Sequence, residues 1–129
     1  MANQFVVQLT NEPGAMAVLA EALAARGVDL RAIGGGGIGD AGHVIMTTAD
    51  DDATRAILDE GSYTYIEGES ILAEVDDRPG GMAKLARQLA DAGVNIYGHL
   101  FLGRWGDRAM FAFIVDDPEV ARPILERKA

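Results

Sequence analysis

Cysteine is absent from this 129-residue chain, which excludes disulfides, thiolate zinc sites and cysteine nucleophiles. Nothing then requires an oxidising compartment, and a cytoplasmic location is the expectation. Basic residues are scarce: 11 Lys and Arg against 20 Asp and Glu give a net charge of −9. Split at Ile66, the halves carry −6 (3 basic, 9 acidic) and −3 (8 basic, 11 acidic). Neither half attracts phosphate backbones or anionic lipid, so nucleic acids and membrane surfaces are not expected as partners. Long apolar runs are missing too. Stretches such as MFAFIV (Met110–Val115) are far too short to span a bilayer, and MANQFVVQL has no basic segment leading into an apolar core, so neither membrane span nor signal peptide is expected.

What is present is a globular composition, 49% hydrophobic and 24% charged, with one segment written twice. Shifting the sequence by 66 residues aligns Asn11–Leu30 with Asp77–Ile96, and ten of the twenty positions are identical. A supersecondary unit duplicated in this way predicts two small units that pack together and share a core, since each alone buries little apolar area.

The hydrophobic period changes in the same order in both copies. FVVQL (Phe5–Leu9) and SILAEV (Ser70–Val75) read as first strands. Met16, Leu19, Ala20, Leu23 and Ala24 form a helical stripe, repeated by Met82, Leu85, Ala86, Leu89 and Ala90. Pro13 and Pro79 are expected in the first helical turn, where a missing N–H costs nothing, with Gly27 and Gly93 as left-handed stops. A hairpin follows in each copy: VDLRAIG to HVIMTT, and VNIYGHLFL to RAMFAFIV. Second helices are expected over Asp50–Glu60 and Asp117–Arg127, the latter interrupted by Pro123. SYTYIEG (Ser62–Gly68) supplies a fourth strand to the first copy only. The expected fold is α+β: two ferredoxin-like βαββαβ units in tandem, residues 1–68 and 69–129, with helices on one face of antiparallel sheets and the second unit lacking its last strand.

The unpaired N–H groups that open a helix carry the positive end of its dipole, and a glycine there lets a small anion approach the backbone. The α-carboxylate of a free amino acid fits, and a neighbouring Asn or Asp offers an oxygen to its ammonium group. Asn11, Glu12, Pro13, Gly14 and Ala15 form one candidate cradle; Asp77, Arg78, Pro79, Gly80 and Gly81 form the other.

DRPGGMAKLARQLADAGVNI and its weaker copy NEPGAMAVLAEALAARGVDL resemble the ACT domain, a βαββαβ amino-acid-sensing module, here in tandem. The pattern departs at Glu12, where Arg is more usual, and at Asp29, where Asn is. The resemblance implies sheets lying side by side, with each ligand also touched by the residue opening the second strand of the neighbouring unit. Asn95 would then join the Asn11 loop, and Asp29 the Asp77 loop. The first site would present two carboxamides and the second two carboxylates beside Arg78, a costlier arrangement around a ligand carboxylate, so the first is favoured. The implied protein is a free-standing regulator without a catalytic domain, a homo-oligomer, most simply a dimer, acting on a metabolic enzyme or regulator in trans. No cofactor and no metal are implied.

GGGGIG (Gly34–Gly39) has the G-x-G-x-x-G spacing, but HVIMTT rather than a helix follows it, so a flexible hairpin turn is expected, with a mobile lid as the alternative. His43 and His99 lack companion ligands, and Asp50–Asp52 read as partners of a helix dipole rather than of Mg²⁺. Trp105, between Arg104 and Arg108, reads as rim packing or as an oligomer contact. The other functional reading is a structural module that oligomerises without a ligand. A small enzyme is disfavoured because no nucleophile and base come together in the sequence, and an RNA-binding βαββαβ module because the chain is acidic.

Overall fold

The computed structural model describes residues 2–126 and divides into two compact units, Met1–Gly68 and Glu69–Ala129. The first runs β1 (Asn3–Thr10), α1 (Ala15–Ala25), β2 (Leu30–Ile38), β3 (Ala41–Thr48), α2 (Asp51–Glu60) and β4 (Tyr65–Glu69), with strand order β2-β3-β1-β4. β3 pairs antiparallel with both β1 and β2. β1 and β2 therefore run parallel, with β3 between them and α1 crossing over. The second unit runs β5 (Ile71–Asp76), α3 (Gly81–Asp91), β6 (Ile96–Trp105), β7 (Arg108–Val115) and α4 (Pro118–Leu125), and its sheet has order β5-β7-β6.

Each unit has its own core, which corrects the expectation of a shared one: two helices per unit suffice to cover one face of its sheet. In the first, the strand residues Phe5, Val7, Val44 and Met46 alternate onto one face, where Leu19 and Leu23 of α1 and Ile57 and Leu58 of α2 cover them. In the second, Ile71, Ala73, Val75, Phe113 and Val115 meet Leu85 and Leu89 of α3 and Ala121 and Leu125 of α4. A leucine buried to this extent contributes about 1.5–3 kcal/mol over an exposed one. The stripes read from the sequence are narrower in the fold: Met16, Ala24, Met82 and Ala90 stay exposed, and the burial falls on one leucine pair per helix. Each helix lies on its sheet along two turns, so positions at the margin of the stripe face outward.

Helix ends follow the chemistry of their residues. Gly27 (φ 69°) and Gly93 (φ 76°) adopt left-handed conformations, and paired bonds close the last turns: Gly27 N–H to Ala24 O with Val28 N–H to Leu23 O, and Gly93 N–H to Ala90 O with Val94 N–H to Leu89 O. Asp50 caps α2 by accepting from Ala53 N–H at 3.0 Å, and Asp117 caps α4 by accepting from Val120 N–H at 3.2 Å. The acidic run at Asp50 is thus a helix start. α4 accommodates Pro123, and the expected helix end at Arg127 lies outside the described residues.

The glycine run departs from expectation. Gly34 to Gly37 and Ile38 belong to β2, and only Gly39, at φ 61°, and Asp40 make the turn. Glycine is a poor strand former on its own, but β3 supplies a continuous ladder, from Ile33↔Met46 to Ile38↔Ala41, that holds the segment extended.

Glu67 ties β4 to the rest of its unit. Its carboxylate accepts from Arg55 Nε at 2.7 Å, Arg55 Nη2 at 2.6 Å and Asn3 Nδ2 at 2.8 Å, and its side chain is only 14% exposed. The Arg55 hydrogen bonds hold its pKa below the usual glutamate range, with partial burial opposing and the Asn3 bond assisting. A depressed carboxylate stabilises the fold above its unfolded pKa, and that contribution is lost as the pH falls through the folded value. In urea titrations, wild type is expected to be more stable than Glu67→Gln at pH 7, and the gap is expected to close as the pH drops below about 4, the ordinary range for Glu. An unchanged gap at pH 3 would contradict the assignment.

Candidate functional site

The Pro-Gly pairs do not lie inside the helices. Ala15 N–H bonds to Glu12 O at 3.3 Å, with Pro13 and Gly14 (φ 90°, ψ −13°) at the two central positions, and Gly81 N–H bonds to Arg78 O at 3.1 Å across Pro79 and Gly80 (φ 90°, ψ −12°). These are type II β-turns, in which proline presets the first central residue and the second requires a positive φ that glycine adopts without strain. The expectation of proline in the first helical turn is corrected accordingly: Gly14 and Gly80 are the N-caps, and the prolines precede them. A glycine cap has no side chain to offer. Among the described residues none caps α1 or α3 through a side chain, in contrast to the Asp caps of α2 and α4. The turn takes the first amide of each helix, Ala15 N–H and Gly81 N–H, so the amides without a side-chain cap are the next ones, of Met16 and Ala17 and of Met82 and Ala83.

In the first unit the turn faces a cavity of about 450 Å³ whose lining includes Thr10, Asn11, Glu12, Ala15 and Met16 on one side and Ile33 with Gly34–Gly37 on the other. Asn11 is fixed by the hairpin: its backbone N–H donates to Asp40 O at 3.0 Å and its Nδ2 to Gly39 O at 2.9 Å. That leaves Oδ1 as the unused acceptor of the amide group. Gly37 keeps the Asn11 amide group in place: a Cβ on it would stand 2.5 Å from Asn11 Oδ1 and would displace that side chain. Glu12 lies at the cavity edge and accepts from the Thr10 hydroxyl at 3.0 Å. A second cavity, about 550 Å³, abuts the same loop through Thr10 and Ala15 and is lined further by Asp40 and Ser62, the latter in a left-handed conformation (φ 57°).

The second unit starts with the same scaffold and finishes differently. Asp77 N–H donates to Asp107 O at 2.8 Å, as Asn11 does to Asp40. The Asp77 carboxylate, however, accepts from Arg104 Nε at 2.6 Å, and the Arg104 guanidinium lies 4.9 Å from the centre of the Phe101 ring. Hairpin registers Ile38↔Ala41 and Trp105↔Arg108 align the tips, so Arg104 stands where the first unit has Gly37 and Phe101 where it has Gly35. Arg78, expected beside Asp77, pairs instead with Asp76 at 3.2 Å, and Arg108 also binds Asp76. The remaining cavity, about 350 Å³, is lined by Asp77, Arg78, Pro79 and Arg104 among others.

Of the residues proposed from sequence, Asn11, Glu12 and Ala15 line the first cavity, while Pro13 and Gly14 shape the turn beside it. Gly80 shapes the second turn, and Gly81 opens α3 tight against β5. Asp29 precedes β2, with its carboxylate accepting from Arg31 Nε at 3.0 Å. Asn95 precedes β6 and donates its backbone N–H to Asp116 Oδ1 at 2.9 Å. The sequence offers the glycine run as a turn or a lid, not as the strand-held wall it forms, and does not single out Arg104 as a site element. The signal for Arg104 was a cation on the β6 side of the hairpin where the first unit has glycine.

Two ferredoxin-like units in tandem, each turning from its first strand into its first helix through Pro-Gly, make an ACT-type fold. Solved structures share it. A protein of Bacteroides thetaiotaomicron superposes with a TM-score of 0.73 at 20% identity, covering 97% of this chain and 86% of that one. The regulatory subunit of aspartate kinase from Thermus thermophilus, in its ligand-free form, gives 0.62 at 20% identity over 97% and 87%. That of Thermus flavus gives 0.62 at 19% over 98% and 92%. At these identities the likeness is one of fold. No family model and no curated protein matches the chain. Among the described residues no helix is long and apolar enough to cross a membrane.

Proposed function

We propose that this protein is a non-catalytic regulator that binds a free amino acid or similar small metabolite at the Asn11–Ala15 turn. The observation that carries the reading is the helix start of α1, left without a side-chain cap and opening beside a cavity in which Asn11 is already held. The ligand's α-carboxylate takes the amides of Met16 and Ala17, which follow the turn-bonded Ala15 N–H, and its ammonium group takes Asn11 Oδ1 with Glu12 nearby. That solved structures sharing the fold include aspartate kinase regulatory subunits supports a regulatory role. Asn95 and Asp29 are carried as further ligand contacts on the family resemblance alone. The signal passes on through a change in oligomeric state, with a dimer as the simplest assembly, or through a partner enzyme in trans.

A thermal-shift panel of the proteinogenic amino acids tests this. At a hundredfold excess over Kd a ligand is expected to add about 2.7 kcal/mol of stability. Silence across the panel would leave the second reading, a ligand-independent assembly module. That reading draws on the exposed apolar side of α1, where Val18 is 60% exposed, and it requires a particle mass indifferent to amino acids.

A further inference from the structure

Resting on the reading above, we infer that the ligand of the first unit is an amino acid with an uncharged, apolar side chain larger than a methyl group. The cavity behind the Asn11 turn has polar side chains in the turn itself and at His43, and apolar ones elsewhere. Leu9 and Val44 line its floor, and Met16 and Ile33 face it from opposite sides, 47% and 42% exposed with nothing covering them. Side chains this apolar on a cavity wall gain by being covered, at about 25 cal/mol for each Å² removed from water.

Charge in the lining argues the same way. No Arg or Lys is among the described residues that line the cavity, and its only basic neighbour is the exposed His43, so a ligand with a second carboxylate finds no guanidinium or ammonium partner there. The single carboxylate, Glu12, already accepts from the Thr10 hydroxyl at the exposed edge and lies on the side of the turn where the α-ammonium group is placed. A second ammonium group reaching past it would have Met16 and Ile33 beside it and no carboxylate to pair with, so it gains nothing from these walls. Small ligands forfeit the wall: glycine and alanine leave Met16 and Ile33 uncovered. The glycines of β2 contribute by omission, because their missing side chains leave room between Ile33 and the turn.

Calorimetric titration of the full chain with leucine, methionine, phenylalanine, alanine, aspartate and lysine tests the assignment. At least one of the first three is expected to bind tenfold or more tighter than alanine, since each methylene in such a pocket is worth about 10-fold or more, with aspartate and lysine weaker still. Met16→Glu, at an exposed position where the fold tolerates the change, is expected to reduce that preference at least tenfold, and Met16→Leu to retain it. Tightest binding by aspartate or lysine, abolished by Asn11→Ala, would overturn the side-chain class and leave the site standing. Absence of heat with all six, together with an unresponsive thermal-shift panel, would overturn the site itself.

Discussion

Gly81→Ala is expected to destabilise the second unit by about 1–3 kcal/mol, the range for forcing an added methyl into a packed place. A Cβ on Gly81 would lie 2.1 Å from the carbonyl oxygen of Asp76 and 3.2 Å from Val75 Cγ1. The closer neighbour is backbone at the end of β5, which is held by its ladder to β7 and has no rotamer to change. Relief has to come from moving α3 away from the sheet, and α3 carries Leu85 and Leu89 into the core. The first unit has Ala15 at the matching place, so the constraint belongs to the second turn alone. Trp105, the only tryptophan, lies in β6, and its fluorescence follows the affected unit in a urea titration. A midpoint within experimental error of wild type would show that the turn relaxes without cost.

Asn11→Ala is expected to weaken ligand binding by about 10-fold to 100-fold, the equivalent of losing a hydrogen bond to a charged group. Two effects combine. The acceptor Oδ1 is removed, and so is the Nδ2 bond to Gly39 O that holds the turn against the β2–β3 hairpin. Because Asn11 is exposed, the fold itself should lose little, which separates a binding defect from unfolding. Titrating the variant with whichever amino acid the wild type binds provides the measurement. Affinity retained within twofold would remove Asn11 from the site.

Much of the element order was legible because each boundary had a local cause: an apolar period that switches, an Asp that caps, a glycine that stops a helix. The Pro-Gly pairs were legible as boundaries but not as turns, since proline suits both a first helical turn and the leading corner of a type II turn. What decides between them is the backbone of Gly14, and a sequence does not carry dihedrals. Gly34–Gly37 was misread because intrinsic preference points to a turn, whereas the ladder to β3 is a tertiary effect that overrides it. The Asp77–Arg104 pair joins residues 27 apart through a hairpin whose tip had first to be placed to the residue. The candidate site was legible as far as its loop. Its opposite wall was not, because a wall made of missing side chains leaves no chemical signature.

Arg104 gives the second turn an occupant of its own. A guanidinium resting on Asp77 and above Phe101 offers that carboxylate what a visiting ammonium group would offer, from a side chain that never diffuses away. Any molecule entering there competes against a tethered cation at high local concentration, while one entering the first cavity meets no such rival. Two copies of one scaffold thereby acquire unequal vacancies.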